Sequence, residues 1–242
     1  MDIINKVKEV LTQSDKPIMI ELGGCDGYHS NMFVTYLSNI RTDFTYIILE
    51  PVKRLAKQIQ DILSWCPNVK VIQKAVASTN GVVSFYESDD KYYGSSSIRK
   101  PTTKNFEFWS DMKFSESTCE TITLDTLIDN CGLQNQIIDF IWSDIQGAEG
   151  DLIEGGKKTL NNTKFFYTEF LEHEIYEGQL HNYKEICSLL PNFEVLHKFD
   201  SDILFRNKNL PYQVVNPIVV GNMQPKPPIS GYDGGIYRPS WR

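Results

Sequence analysis

Short apolar runs alternate along the chain with stretches whose apolar residues recur at helical spacing, and this alternation predicts the order of elements. Ile4, Val7 and Leu11 fall on one face of an N-terminal amphipathic helix expected within residues 1–16, packed against the sheet. Pro17 to Leu22 is an apolar run broken only by Glu21, and it predicts the first strand. Tyr28 to Ile40 carries Met32, Phe33, Tyr36 and Leu37 at helical spacing, and Phe44 to Leu49 predicts a second strand. Pro51 suits a helix start, Val52 to Trp65 turns Leu55, Ile59 and Ile62 inward, and Val69 to Gln73 predicts a third strand. Strand and helix in this succession imply a parallel sheet with helices on both faces.

Farther along, Gly81 to Glu87 alternates as an extra strand and Ser88 to Ser117 reads as a long polar loop, a length typical of a lid or binding loop. A helix is expected from Asp125, and Ile137 to Trp142 and Lys164 to Thr168 are apolar enough to be strands buried on both sides. Phe193 to Phe199 and Ile203 to Arg206 are joined by only Asp200-Ser-Asp202, too short for a parallel crossover, so these two strands must be antiparallel. The expected fold is a single α/β domain, a doubly wound, mainly parallel, Rossmann-like sheet with an antiparallel edge strand, over residues 17–207. Residues 208–242, rich in Pro and Gly as in Gln224-Pro-Lys-Pro-Pro228, are expected to form an irregular arm that either wraps the domain or extends into solvent, with Tyr232, Tyr237 and Trp241 favouring docking.

A chain of 242 residues with 41% hydrophobic and 23% charged residues has the make-up of a globular domain of this class. Its net charge of -7 argues against nucleic acid as a partner, because phosphate binding depends on clustered Lys and Arg. Five widely spaced cysteines, an odd number without a C-x-x-C pair, are expected to be reduced core thiols in a cytoplasmic protein. The N-terminus lacks the uncharged stretch of a signal peptide and no apolar run reaches spanning length, so neither secretion nor membrane insertion is expected.

The candidate chemistry begins where the first strand ends. Glu21-Leu-Gly23-Gly-Cys-Asp-Gly27 is a glycine-rich loop, and Glu50 ends the next strand. In a doubly wound sheet such a pair builds a nucleoside site: the turn lets a ligand lie against backbone, and the carboxylate takes ribose hydroxyls. The G-x-G-x-x-G spacing of a dinucleotide site fails here, because its first glycine would be Leu22. What stands instead, Glu21-x-Gly23-x-x-x-Gly27, resembles the loop of class I S-adenosylmethionine-dependent methyltransferases. On that reading Glu50 grips ribose, Gly23 gives close backbone contact, Glu21 supports the loop or the donor's amino group, and Ala75 and Val76 at the tip of the third strand line the adenine slot. Ser95 to Ser97 in the long loop are candidates to touch donor or acceptor, Ser96 among them.

The densest chemistry follows the buried strand, in Ser143-Asp144-Ile-Gln146-Gly147-Ala-Glu149-Gly-Asp151. Asp144 and Glu169 end two neighbouring strands and are expected to present two carboxylates to one crevice. Glu149 and Asp151, one turn farther on, read as helix-capping or solvated acids. His173 reads as a surface histidine, and His29 as a cover over the ligand.

Taken together, these segments resemble the FkbM family of methyltransferases over about Ile20 to Arg206. The resemblance rests on Glu21-Leu-Gly-Gly, Glu50-Pro51, Ala75-Val76-Ala77 followed by Gly81, Gly94-Ser-Ser-Ser97, Thr123-Leu-Asp125, Ile138-Asp-Phe-Ile-Trp-Ser-Asp144 with Gln146-Gly-Ala-Glu149, and Thr168-Glu169. The family usually shows Lys-Ile/Ala-Asp-Val-Glu-Gly where this chain has Trp142-Ser-Asp-Ile-Gln-Gly147, so Trp142 replaces a lysine and Gln146 a carboxylate. The resemblance implies an enzyme that transfers a methyl group from S-adenosylmethionine to a hydroxyl of a sugar, glycan or small natural product. Asp144 would orient or deprotonate that hydroxyl and Glu169 would assist; a Mg²⁺ bridging the two is a variant of the scheme, since hard oxygen ligands suit it. Two other readings use the same fold: a noncatalytic binding module, and an NAD(P)-dependent oxidoreductase.

Overall fold

The computed structural model describes residues 1–108 and 110–212. Seven strands form the central sheet: β1 (Ile18–Leu22), β2 (Thr45–Leu49), β3 (Val69–Ile72), β7 (Ile138–Ser143), β8 (Thr163–Glu169), β9 (Phe193–Lys198) and β10 (Asp202–Asn207). Their order is β3-β2-β1-β7-β8-β10-β9. The strands from β3 to β8 are mutually parallel, and β10 runs antiparallel to both β8 and β9, as the short Asp200-Ser-Asp202 connection requires.

Strand periodicity divides the core into two layers. Along β1, Ile18, Ile20 and Leu22 face one side and join α5 (Leu124–Asn130), α6 (Glu149–Gly155), α7 (Lys157–Asn161) and α8 (Tyr183–Leu189) in one apolar cluster. Met19, with Tyr46, Ile48, Phe140 and Phe165, faces the other side and packs under α1 (Ile3–Gln13), α2 (Tyr28–Ile40) and α3 (Lys53–Leu63). Every residue of β1 and β7 is buried, which is why these strands read as nearly continuous apolar runs, interrupted by Glu21 and Asp139, rather than alternating ones. The one charge inside β7, Asp139, is compensated: it accepts from the Ile18 backbone N–H at 2.9 Å and pairs with Lys164 at 2.7 Å.

The expected long loop is shorter than its composition suggests. Phe114–Ile122 forms strand β6, which pairs antiparallel with β5 (Gly81–Ser88) and parallel with β4 (Ala75–Val76) in a separate three-stranded sheet. The polar sequence of β6 reflects exposure, since most of its side chains stand in solvent and need not be apolar. Between β5 and β6 the chain makes a 3₁₀ turn, Tyr93–Ser95, and α4 (Thr103–Phe108). Ala75 and Val76 therefore belong to their own strand and not to the tip of β3.

Helix α1 starts on an Asp2 cap, whose carboxylate accepts from Asn5 N–H, and buries Val7, Val10 and Leu11. Tyr212 packs its ring on Phe165 and its hydroxyl oxygen accepts from Lys6 at 2.9 Å, while Tyr232, Tyr237 and Trp241 lie outside the described residues. Among the described residues, no helix is long and apolar enough to cross a membrane. All five cysteines are free, but only Cys66 is buried; Cys25 sits in the glycine-rich turn, which corrects the expectation of five core thiols.

Candidate active site

Strand order reverses between β1 and β7: from β1 the chain winds outward through β2 and β3, and from β7 through β8. A crevice opens beyond the carboxyl ends of strands at such a point. Here it is a cavity of about 460 Å³ whose wall includes Glu21, Gly23, Glu50, Ala75, Val76, Ser96 and Asp144. The structure thus brings most of the anticipated residues to one place. Gly27 and Glu169 are not on that wall.

The turn after β1 is shaped by contact with both neighbouring strands. The amides of Gly23 and Gly24 both donate to the Leu49 carbonyl at 3.0 Å, which ties the turn to the end of β2. Gly23 has φ +87°, and a Cβ placed there would lie 2.0 Å from the Asp144 carbonyl oxygen. Gly27, at φ +81°, caps α2 and packs toward Ile59.

Two buried acids stand on the wall beside this turn. Glu50 accepts the Cys25 N–H at 2.7 Å with Oε2 and the Val52 N–H at 2.8 Å with Oε1, so its position is set by the backbone on either side. Burial, only partly offset by these hydrogen bonds, pushes its pKa up to about 7. Glu21 is raised to about 7 for the same leading reason. Its Oε2 accepts from the Ser30 hydroxyl at 2.6 Å and from Tyr46 at 2.8 Å, which makes it a tie between α2, β1 and β2.

Asp144 follows β7 directly, and its N–H donates to the Leu22 carbonyl. The Gln146 side-chain amide donates to Asp144 Oδ1 at 2.6 Å and to Glu169 Oε2 at 3.0 Å. The two acids are therefore joined through Gln146, and Glu169 is only 2% exposed. Asp144 is on the cavity wall and Glu169 is not, so the two acids do not both face the crevice. The Tyr176 hydroxyl, itself buried, lies 3.2 Å from Gln146 Oε1 and 2.7 Å from the Ser95 carbonyl, to which it donates. Ser97 Oγ donates to the Gln146 carbonyl at 2.7 Å. Through these bonds the segment around Tyr93–Ser97 is fastened across the crevice, and Tyr93 reaches Asp26 in the glycine-rich turn at 3.1 Å. The Ser96 hydroxyl is spent within the segment, 3.0 Å from Ser88 Oγ.

Glu149 and Asp151 differ from their expected roles. Asp151 pairs with Arg99 at 2.6 Å. Glu149 is buried rather than solvated, burial raises its pKa to about 7, and its Oε1 has no hydrogen-bond partner among the described residues.

The remaining wall is aromatic. His29 lies 4.9 Å from Trp142 between ring centroids, Trp142 lies 4.3 Å from Tyr167, and Tyr167 lies 5.9 Å from Phe199. Trp142 and Tyr167 are partners in the β7–β8 register, each two residues before one of the joined acids. The period of a strand could have disclosed this row, since residues two apart share a face. Tyr176 left no comparable signal, because its partners lie far away in sequence. His29 does line the cavity, as foreseen, and His173 is exposed.

Comparison with known proteins bears on what this geometry serves. Residues 21–200 match the model of the Methyltransferase FkbM domain. The chain is 33% identical over 209 residues, 83% of each protein, to the 2-O-methyltransferase NoeI of Sinorhizobium fredii (strain NBRC 101917 / NGR234). A crystal structure of Methyltransferase FkbM from Methylobacillus flagellatus KT superposes with a TM-score of 0.50 at 14% identity, covering 79% of this chain and 44% of that one. A putative caffeoyl-CoA O-methyltransferase from Staphylococcus aureus gives a TM-score of 0.46 at 10% identity, covering 86% and 84%. With the domain model spanning most of its length and a curated relative this similar, the chain belongs to the FkbM family of methyltransferases.

Proposed function

We propose that the chain transfers a methyl group from S-adenosylmethionine to a hydroxyl oxygen of a sugar, glycan or small natural product. The observation that carries this reading is the placing of Glu50 and Asp144 on one cavity wall, on either side of a turn whose Gly23 packs directly against the Asp144 carbonyl. The similarity to a 2-O-methyltransferase supports a hydroxyl as the acceptor.

The residues present suit such a donor. Glu50 keeps unused lone pairs on both oxygens after accepting its two backbone N–H groups, so ribose hydroxyls can donate to it. Ala75 and Val76 give an apolar wall for a flat base. When bound, the donor supplies a methyl carbon made electrophilic by its sulfonium. Transfer then depends on holding the acceptor oxygen in line at about 3–3.5 Å, which alone removes much of the barrier. Asp144 orients that hydroxyl and takes its proton as the oxygen attacks. The Trp142–Tyr167 pair closes the far wall and excludes water around the acceptor.

Titration calorimetry with S-adenosylmethionine, followed by mass spectrometry of candidate sugars and alcohols after incubation with isotopically labelled donor, tests the reading. Donor binding and a labelled methyl ether are expected. Stabilisation by NAD and not by S-adenosylmethionine would replace this reading with a redox one.

A further inference from the structure

We infer that Gln146 is a positioning residue whose amide joins Asp144 to Glu169 in the place a divalent cation would take, so that the acid pair works without a metal. Its catalytic sense rests on the methyl-transfer reading; its structural sense does not.

Two carboxylates held this close repel each other unless something positive or hydrogen-donating lies between them. A cation is one solution; an amide NH₂ is another, because its two hydrogens diverge and can serve two acceptors. Gln146 Nε2 lies 2.6 Å from Asp144 and 3.0 Å from Glu169, with both hydrogens spent. The other end of the amide meets the Tyr176 hydroxyl at 3.2 Å, and the backbone carbonyl takes the Ser97 hydroxyl at 2.7 Å. The two carboxylates fix which way the amide points: the reverse orientation would set its oxygen against both of them.

The backbone carries a second sign. Gln146 has φ +53°, in the left-handed region. A side-chain-bearing residue there costs about 1–3 kcal/mol, and such strain persists where the surroundings demand that side chain. Glycine would be the relaxed choice, yet a glycine could not bridge the acids. Mg²⁺ requires oxygen ligands at about 2.0–2.1 Å in octahedral array. An N–H donor pointing into the gap between the two carboxylates is the wrong group for that, so the Mg²⁺ bridge anticipated for Asp144 and Glu169 does not fit these residues.

The experiment compares the natural chain with Gln146→Glu, which keeps the side chain's shape and replaces the donor by a third carboxylate. Mn²⁺ is titrated into each, read by electron paramagnetic resonance, and turnover is measured in chelator and in Mg²⁺. The natural chain is expected to take up no stoichiometric Mn²⁺ and to turn over equally in both media. Gln146→Glu is expected to bind a single Mn²⁺, to lose it when Asp144→Asn is added, and to turn over about 10-fold or more slowly in chelator with unchanged donor affinity, recovering with Mg²⁺. Stoichiometric Mn²⁺ on the natural chain that vanishes with Asp144→Asn overturns the inference. So does natural turnover that chelator abolishes, or a Gln146→Glu variant indistinguishable from the natural chain in Mn²⁺ uptake. If S-adenosylmethionine fails to bind any form, the methyl-transfer reading falls while the Mn²⁺ titration still decides the role of Gln146.

Discussion

The carbonyl oxygen of Asp144 occupies the space into which a side chain on Gly23 would project, 2.0 Å from where its Cβ would be. The glycine-rich turn and Asp144 are thus in direct backbone contact. Gly23→Ala combines this overlap with a φ of +87°. It should destabilise the fold by about 2–5 kcal/mol and abolish donor binding. Thermal melts with and without S-adenosylmethionine measure both; an alanine variant that melts and binds normally would contradict the packing.

Replacing Glu50 by glutamine keeps the shape but sets an NH₂ group against a backbone N–H, at Cys25 or at Val52. Donor affinity should fall by about 10- to 100-fold, through loss of a charge-assisted acceptor for ribose and slackening of the turn. Calorimetry reads this directly, and unchanged affinity would remove Glu50 from the donor site.

Asp144→Asn should separate catalysis from binding. If Asp144 takes the acceptor proton, kcat drops by about 10²- to 10⁴-fold while donor affinity stays within about threefold. Full turnover by the asparagine variant would assign the proton to another group.

Glu149 gives a pH signature. Its pKa is raised to about 7 in the fold, first by burial, from an ordinary 4.5 in the unfolded chain. Between those values the folded state holds a proton that the unfolded state has released, so stability falls as pH rises through the window and is fully retained below it. Glu21 and Glu50, also raised to about 7, slope the same way. Glu149→Gln should therefore gain roughly 1–3 kcal/mol over the natural chain near pH 8 and little near pH 4.5, measured by urea unfolding. Equal differences at both pH values would show that Glu149 does not titrate in this range.

The strands buried on both faces were legible because their residues have only one kind of environment: β1 and β7 could be bounded within a residue or two from apolarity alone. Strand β6 was not, since a solvated strand such as Phe114–Ile122 carries little hydrophobic pattern and its partner β5 supplies the pairing. Ala75 and Val76 were placed on the right wall but in the wrong sheet, because proximity along the chain to β3 said nothing of pairing with β6. Of the site, the acids at strand ends could be named from the rule for open sheets. The bridge through Gln146 could not: a substitution by an amide shows in sequence only as a missing charge, and its partners Tyr176 and Ser97 arrive from separate loops.

Because β10 turns back beside β8, the tip joining β9 to β10 emerges at the same end of the sheet as the parallel strands' termini. Phe199 and Asp200 to Asp202 consequently stand on the cavity wall, held at Ser201 by the Phe170 N–H at 2.8 Å. This portion of the rim shares no segment with the glycine turn or with Glu50, so its length and composition can drift without disturbing them. The architecture thereby sets two independently built stretches of backbone around one cavity.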